Sequence, residues 1–166
     1  MNTVVEMNKQ HVLDLIVLKL EADLDIARRA AQTAYETATH EENIAENKYD
    51  TLGLEASYLA AGQARRVEEI RQSLALYRAW QLKPADESRG IQTGDLITLE
   101  SASGRVRYFF LGPDAAGLKV QAGDEAVTVI TARAPLGQSL LGKLEGDEVE
   151  MVINGTRETF EVVRAL

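Results

Sequence analysis

LDLIVLKLEADLDIARRAAQTAYETA, residues 13–38, decides the first half of the fold. Leu13, Val17, Leu20, Leu24, Ala27, Ala31, Ala34 and Ala38 follow one another at alternating steps of four and three, an unbroken heptad seam. Next comes HEENIAEN, residues 40–47, with three carboxylates, two amides, one histidine and a single isoleucine among its eight residues. A second seam then runs through Ala45, Tyr49, Leu52, Ala56, Leu59 and Gln63, and resumes as Val67, Ile70, Leu74 and Tyr77. The step from Gln63 to Val67 carries one extra residue, a local irregularity.

Folding the chain at residues 41–42 sets Leu13 against Ile70, Leu20 against Gln63, Ala27 against Ala56 and Ala34 against Tyr49. Apolar positions meet along nearly the whole length, so the pattern predicts an antiparallel hairpin rather than one continuous helix. Each arm of about 30 residues would be roughly 45 Å long. The Ala-rich half lets the helices approach closely toward the bend. Glu21, Asp25, Arg28, Arg29, Gln32 and Glu36 occupy the other faces. A helix in a bundle needs a wider apolar stripe, so a free-standing coiled-coil hairpin fits better.

At 166 residues the chain suffices for one ordinary domain or two small ones. It has no cysteine, which excludes disulfides and thiolate metal sites. The net charge of -8 argues against wrapping nucleic acid by neutralising phosphates. Aromatics are scarce, so a large core must use Leu, Val, Ile and Ala. The apolar run at 12–20 is short and broken by Asp14 and Lys19, unlike a signal core or a membrane span. A cytoplasmic protein is expected.

The second half changes period. Lys83-Pro84-Ala85-Asp86-Glu87-Ser88 reads as a linker, since Pro84 cannot continue a helix. Strand-type runs follow at 96–100, 106–111, 118–120, 127–131, 148–153 and 159–163, punctuated by Gly94-Asp95, Ser103-Gly104, Gly112-Pro113, Gly123-Asp124 and Asn154-Gly155. Asn154-Gly155 is a hairpin signal, with a loop of two residues or slightly more. One short helix is expected at 136–143. The fold class is therefore α+β: an N-terminal antiparallel coiled-coil hairpin over 1–82 with its tip near 40–47, a linker at 83–93, and a domain with a mostly antiparallel sheet over 94–166.

No self-contained active site emerges. There is no Gly-rich phosphate loop, and Gly142-Lys143 lacks the rest of one. His11 and His40 lie too far apart in the hairpin to share a metal within one chain. The acidic bend admits two readings. Glu41, Glu42 and Glu46 form a solvated turn that suits the positive end of the second helix. Alternatively they present carboxylates to a metal held elsewhere, since Mg²⁺ accepts one or two carboxylates together with water and phosphate.

Two segments resemble the Gre-type bacterial transcription elongation factors, the GreA/GreB family. Over residues 127–166, Ala134-Pro135-Leu136-Gly137, Leu140-Leu141-Gly142-Lys143 and Gly146-Asp147-Glu148-Val149 stand where that family has its proline-glycine stretch, its Gly-Lys stretch and its Gly-Asp before a β-hairpin. Ala45-Glu46-Asn47-Lys48-Tyr49 is similar to the stretch at the family's coiled-coil tip. The resemblance implies an FKBP-like (FK506-binding-protein-like) second domain that docks at the rim of the RNA polymerase secondary channel, and a coiled coil that enters the channel. It implies that Glu46, with Glu42 and Glu41, acts in the polymerase site and shares its Mg²⁺, with no cofactor of the chain's own. The polymerase would be the enzyme, stimulated to cleave backtracked RNA. Asn47 and Tyr49 would support the tip, and Pro135, Leu136, Gly137 and Lys143 would dock the second domain. Nucleic acid would be met only through the polymerase, with no membrane involved and the chain a monomer.

One departure bears on activity. Aligned on Glu46-Asn47, the family's first tip acid falls at Asn43. An amide is a weaker ligand than a carboxylate for a hard cation. A homologue that occupies the channel without promoting cleavage therefore stays open. So do an FKBP-like chaperone or peptidyl-prolyl isomerase, drawing on Tyr108, Phe109, Phe110 and Phe160, and a plain coiled-coil adaptor.

Overall fold

The structure is a computed structural model that describes residues 7–44 and 51–166, without the side chains of 41–44, 51 and 52. Helix α1 spans Lys9–Ile44 and α2 spans Thr51–Ala79. Strands β1 (Leu96–Ser101), β2 (Val106–Leu111), β3 (Lys119–Ala122) and β4 (Glu125–Ile130) follow. Helix α3 (Pro135–Leu140) separates them from β5 (Glu148–Ile153) and β6 (Thr156–Ala165). This is the expected α+β class, a helical hairpin followed by a mostly antiparallel sheet. No helix among the described residues is long and apolar enough to cross a membrane.

The chain divides into two compact units, Leu18–Ala75 and Met1–Val17 with Leu76–Leu166. In the first, Leu20, Leu24, Ala27, Ala34 and Ala38 of α1 and Ile70 and Leu74 of α2 are buried. Each large aliphatic side chain so placed stabilises the pair by about 1.5–3 kcal/mol. The outer faces carry Lys19–Asp23 and Arg29–Asp25 pairs at helical spacing, both 3.0 Å. Such exposed pairs add only about 0.3–0.5 kcal/mol each.

The register of the hairpin differs from the expected one. Nothing from His40 to Ile44 breaks a helix, and α1 continues through the predicted fold point to Ile44. Ala56 accordingly lines a groove with Arg29, Ala30, Thr33, Ala34 and Thr37, further along α1 than Ala27. Leu59, assigned to the seam, is 58% exposed. It lines the same groove, where alanines and threonines stand opposite and do not enclose it.

In the second unit the strand order is β3-β4-β2-β1-β6-β5. All neighbours pair antiparallel except β2 and β4, which are parallel. Ile97, Leu99, Phe109, Leu111, Ile130, Val149, Phe160 and Val162 point to one face and form a core with Leu140 and Ile91. A bulge at Val163 shifts the β1–β6 register, so that Thr98 faces Arg164 and Leu99 faces Val162. The β5–β6 hairpin has a two-residue loop, Asn154-Gly155, with φ of 51° and 79°. These left-handed values suit the tight turn that the Asn-Gly pair favours.

Asn8 starts α1. Its Oδ1 accepts the N–H groups of Gln10 at 2.9 Å and His11 at 3.2 Å. Lys9 and Tyr77, near the starts and ends of α1 and α2, belong to the same unit as the sheet. Lys9 Nζ meets Asp95 Oδ1 at 3.0 Å. The Tyr77 hydroxyl donates to the carbonyl of Asp114 at 2.6 Å, and its ring lies against Phe110.

Candidate functional site

The acidic stretch begins inside α1. Glu41, Glu42 and Asn43 lie on its last helical turn, followed by Ile44. Successive helical positions are turned by about 100°, which separates positions 42 and 43 on α1. Glu46, Asn47 and Tyr49 lie outside the described residues. His40 is exposed on the same helix, and His11 is exposed near its start. The two belong to different compact units.

The motif at 134–149 is built around backbone turns. Pro135 is exposed in the first turn of α3, where its missing N–H costs nothing. Leu136 is half-buried against the core, Leu140 is fully buried and Leu141 is exposed. Gly137 is buried, and a side chain there would collide with the carbonyl of Thr131. Its visible role is thus close packing. The helix stops at Leu140, short of the expected 143, because Leu141 leaves helical geometry and Gly142 has φ of 79°.

That stop joins the motif to the segment before the sheet. Ile91 N–H donates to the Lys143 carbonyl, and Gly142 N–H donates to the Ile91 carbonyl, both at 2.9 Å. Lys143 is half-buried there. The second glycine turn is held similarly. Gly146 N–H donates to Val162 O at 2.7 Å, and Asp147 Oδ2 accepts Leu144 N–H at 2.8 Å. Sequence reading did not anticipate Ile91 as a core residue, since the preceding Pro84 and Asp86 to Ser88 read as linker.

Burial, and then the charge of Asp114, pushes the Tyr77 phenol well above the usual tyrosine range. Tyr77 therefore acts as a hydrogen-bond donor. Burial, and then Glu125, raises Tyr108. Hydrogen bonds from Ser88 hold the exposed Asp86 carboxyl below its ordinary value. Phe109, Phe110 and Phe160 are consumed by the core, and Tyr108 is half-exposed. They do not form the aromatic cleft that the isomerase reading needs.

Comparison with known proteins agrees with the motif. Residues 87–165 match the family described as "Transcription elongation factor, GreA/GreB, C-term". The chain is similar to the transcription elongation factor GreA of Desulfovibrio desulfuricans, 32% identical over 133 residues, covering 78% of this chain and 75% of the relative. Against GreA of Syntrophus aciditrophicus the identity is 28% over 118 residues, covering 68% and 69%. Among solved structures, the GreA factor homolog 1 (Gfh1) of Thermus thermophilus matches 90% of this chain and 94% of its own. That match has 23% identity and a TM-score of 0.39. On the sequence relationship, the chain belongs to the GreA/GreB family of transcription elongation factors.

Proposed function

We propose that this chain binds bacterial RNA polymerase at the secondary channel and acts there through the acidic stretch at residues 41–46. The observation that carries the reading is the 32% identity to a GreA across 133 residues. Helix α1 adds physical support. Its 36 residues amount to about 54 Å of helix, with Glu41 and Glu42 in its last turn. The chain is then no enzyme itself. It stimulates the polymerase to cleave backtracked RNA.

In this reading Glu46 and Glu42 share Mg²⁺ with the polymerase, with Glu41 beside them. Carboxylate oxygens are the ligands Mg²⁺ favours, and it keeps several waters. When bound it supplies an activated water for cleavage. Sharing is the arrangement proposed, because Mg²⁺ is usually held by one or two carboxylates together with water and substrate phosphate rather than by a protein cage. Asn47 and Tyr49 support the turn. Pro135, Leu136 and Lys143 mark the docking side of the sheet unit, while the buried Gly137 packs against Thr131. The protein works as a cytoplasmic monomer and meets nucleic acid only within the polymerase complex.

Asn43 favours a second reading, occupation of the channel without efficient cleavage. Binding to cognate core polymerase, measured by fluorescence anisotropy of the labelled full chain, tests what the two readings share. Saturable binding displaced by unlabelled chain is expected. Absence of binding at micromolar concentrations contradicts both.

A further inference from the structure

Strand β5 is an edge of the sheet, bonded on one side to β6. In the two-residue hairpin, Ile153 and Thr156 face each other across the turn and exchange hydrogen bonds. Counting back by two, Met151 and Val149 also bond inward to β6. Glu148, Glu150 and Val152 therefore direct their N–H and C=O groups outward. Among the described residues none of these groups has another backbone partner.

The side chains along this edge follow a pattern. Glu148, Glu150 and Val152 are exposed on one face, with Val152 at 69%. A groove of about 700 Å³ runs beside them, lined on the other side by Gln138, Ser139, Leu141 and Lys143. Glu148 also faces Glu161 on β6, which faces Glu100 on β1. Three exposed carboxylates thus lie side by side across three strands. Like charges directly opposite one another destabilise a sheet. Arg157 offsets only part of this charge, approaching Glu150 at 3.9 Å.

We infer that β5 accepts an extended basic peptide segment as an added antiparallel strand. The open backbone groups supply the hydrogen bonds, and alternate side chains set specificity. Lys or Arg at two positions spaced by two meets Glu150 and Glu148, and an apolar residue covers Val152. The intervening side chains face Leu141 and are small or polar. A second copy of this chain is disfavoured as occupant, because it would bring the same glutamates to the same edge in a protein of net charge -8. This inference does not rest on the polymerase reading and is tested on the chain alone.

The probe is the blocked peptide Thr-Val-Thr-Lys-Thr-Lys-Thr, titrated into the isotope-labelled full chain and followed by NMR. Saturable shifts centred on the Glu148, Glu150 and Val152 amides are expected, with slowed hydrogen exchange at those three. Methylating the peptide amides that would bond to β5 is expected to weaken binding by at least about tenfold. The exposed double variant E148K/E150K, with its fold checked by the same spectra, is expected to lose a similar factor. Equal binding of the methylated peptide would mean charge attraction without strand addition and would overturn the inference. Shifts located elsewhere, no shifts at millimolar peptide, or dimerisation through this edge in sedimentation would do the same.

Discussion

Lys9 Nζ lies 3.0 Å from Asp95 Oδ1 and also donates to the carbonyl of Lys83 at 2.5 Å. The second Asp95 oxygen accepts the Gln92 N–H at 2.8 Å. Both side chains are largely removed from water, at 12% and 7% exposure. The first residue of α1, the segment after α2 and the approach to β1 are thereby tied at one point. Removing one partner leaves the other charge buried and poorly compensated. Lys9→Met is expected to cost about 3 kcal/mol in urea unfolding. A loss below about 0.5 kcal/mol, the range of a surface pair, would show that the ion pair adds little.

Tyr77 gives a pH test. Its folded-state pKa is raised above the ordinary 10.0, first by burial and then by Asp114. The folded chain therefore holds this proton more tightly than the unfolded chain. Stability from this source is complete below about pH 10 and falls as pH rises further, by about 1.4 kcal/mol per unit. Tyr77→Phe should lose about 1 kcal/mol at neutral pH with the Asp114 hydrogen bond. Above pH 10 its stability should fall less steeply than that of the wild type. Parallel slopes in denaturation series from pH 8 to about pH 11 would contradict this assignment.

Gly137 tests the packing of α3. A methyl group there meets the Thr131 carbonyl, which is backbone and lacks the freedom of a side chain. Gly137→Ala is expected to destabilise by about 2–3 kcal/mol in thermal or urea unfolding. Gly62→Ala is the control. No atom lies within 4 Å of the added group, and alanine favours the helix there by up to about 1 kcal/mol.

Strands with clear alternation and glycine-bounded ends were legible from sequence. β2 and β5 match their expected spans, and β6 grows because Asn154-Gly155 forms the whole turn. The parallel pairing of β2 with β4 was not legible, since it joins segments whose connection carries no local signal. The hairpin register was misread for a different reason. An Ala- and Leu-based seam matches itself again after a slide of about three helical turns. Apolar matching therefore left the fold point free. The uninterrupted helix from His40 to Ile44 settles it. As for the candidate site, Pro135 is exposed at the start of α3 and Lys143 is half-buried after it, whereas Gly137 is buried within the helix.

Asn43 separates the two readings of the acidic turn. If it stands in for a missing carboxylate ligand, Asn43→Asp should raise transcript cleavage by about tenfold or more, a gain of about 1.4 kcal/mol in transition-state stabilisation. Polymerase affinity should be unchanged. An unchanged rate with intact binding would remove Asn43 from the reaction.

The most direct measurement is cleavage of a stalled, backtracked elongation complex with cognate polymerase and Mg²⁺, comparing no factor, wild type and Glu46→Ala. The account predicts faster cleavage with the wild type, lost in Glu46→Ala while binding to polymerase persists. Equal stimulation by wild type and Glu46→Ala would contradict the role given to the acidic turn.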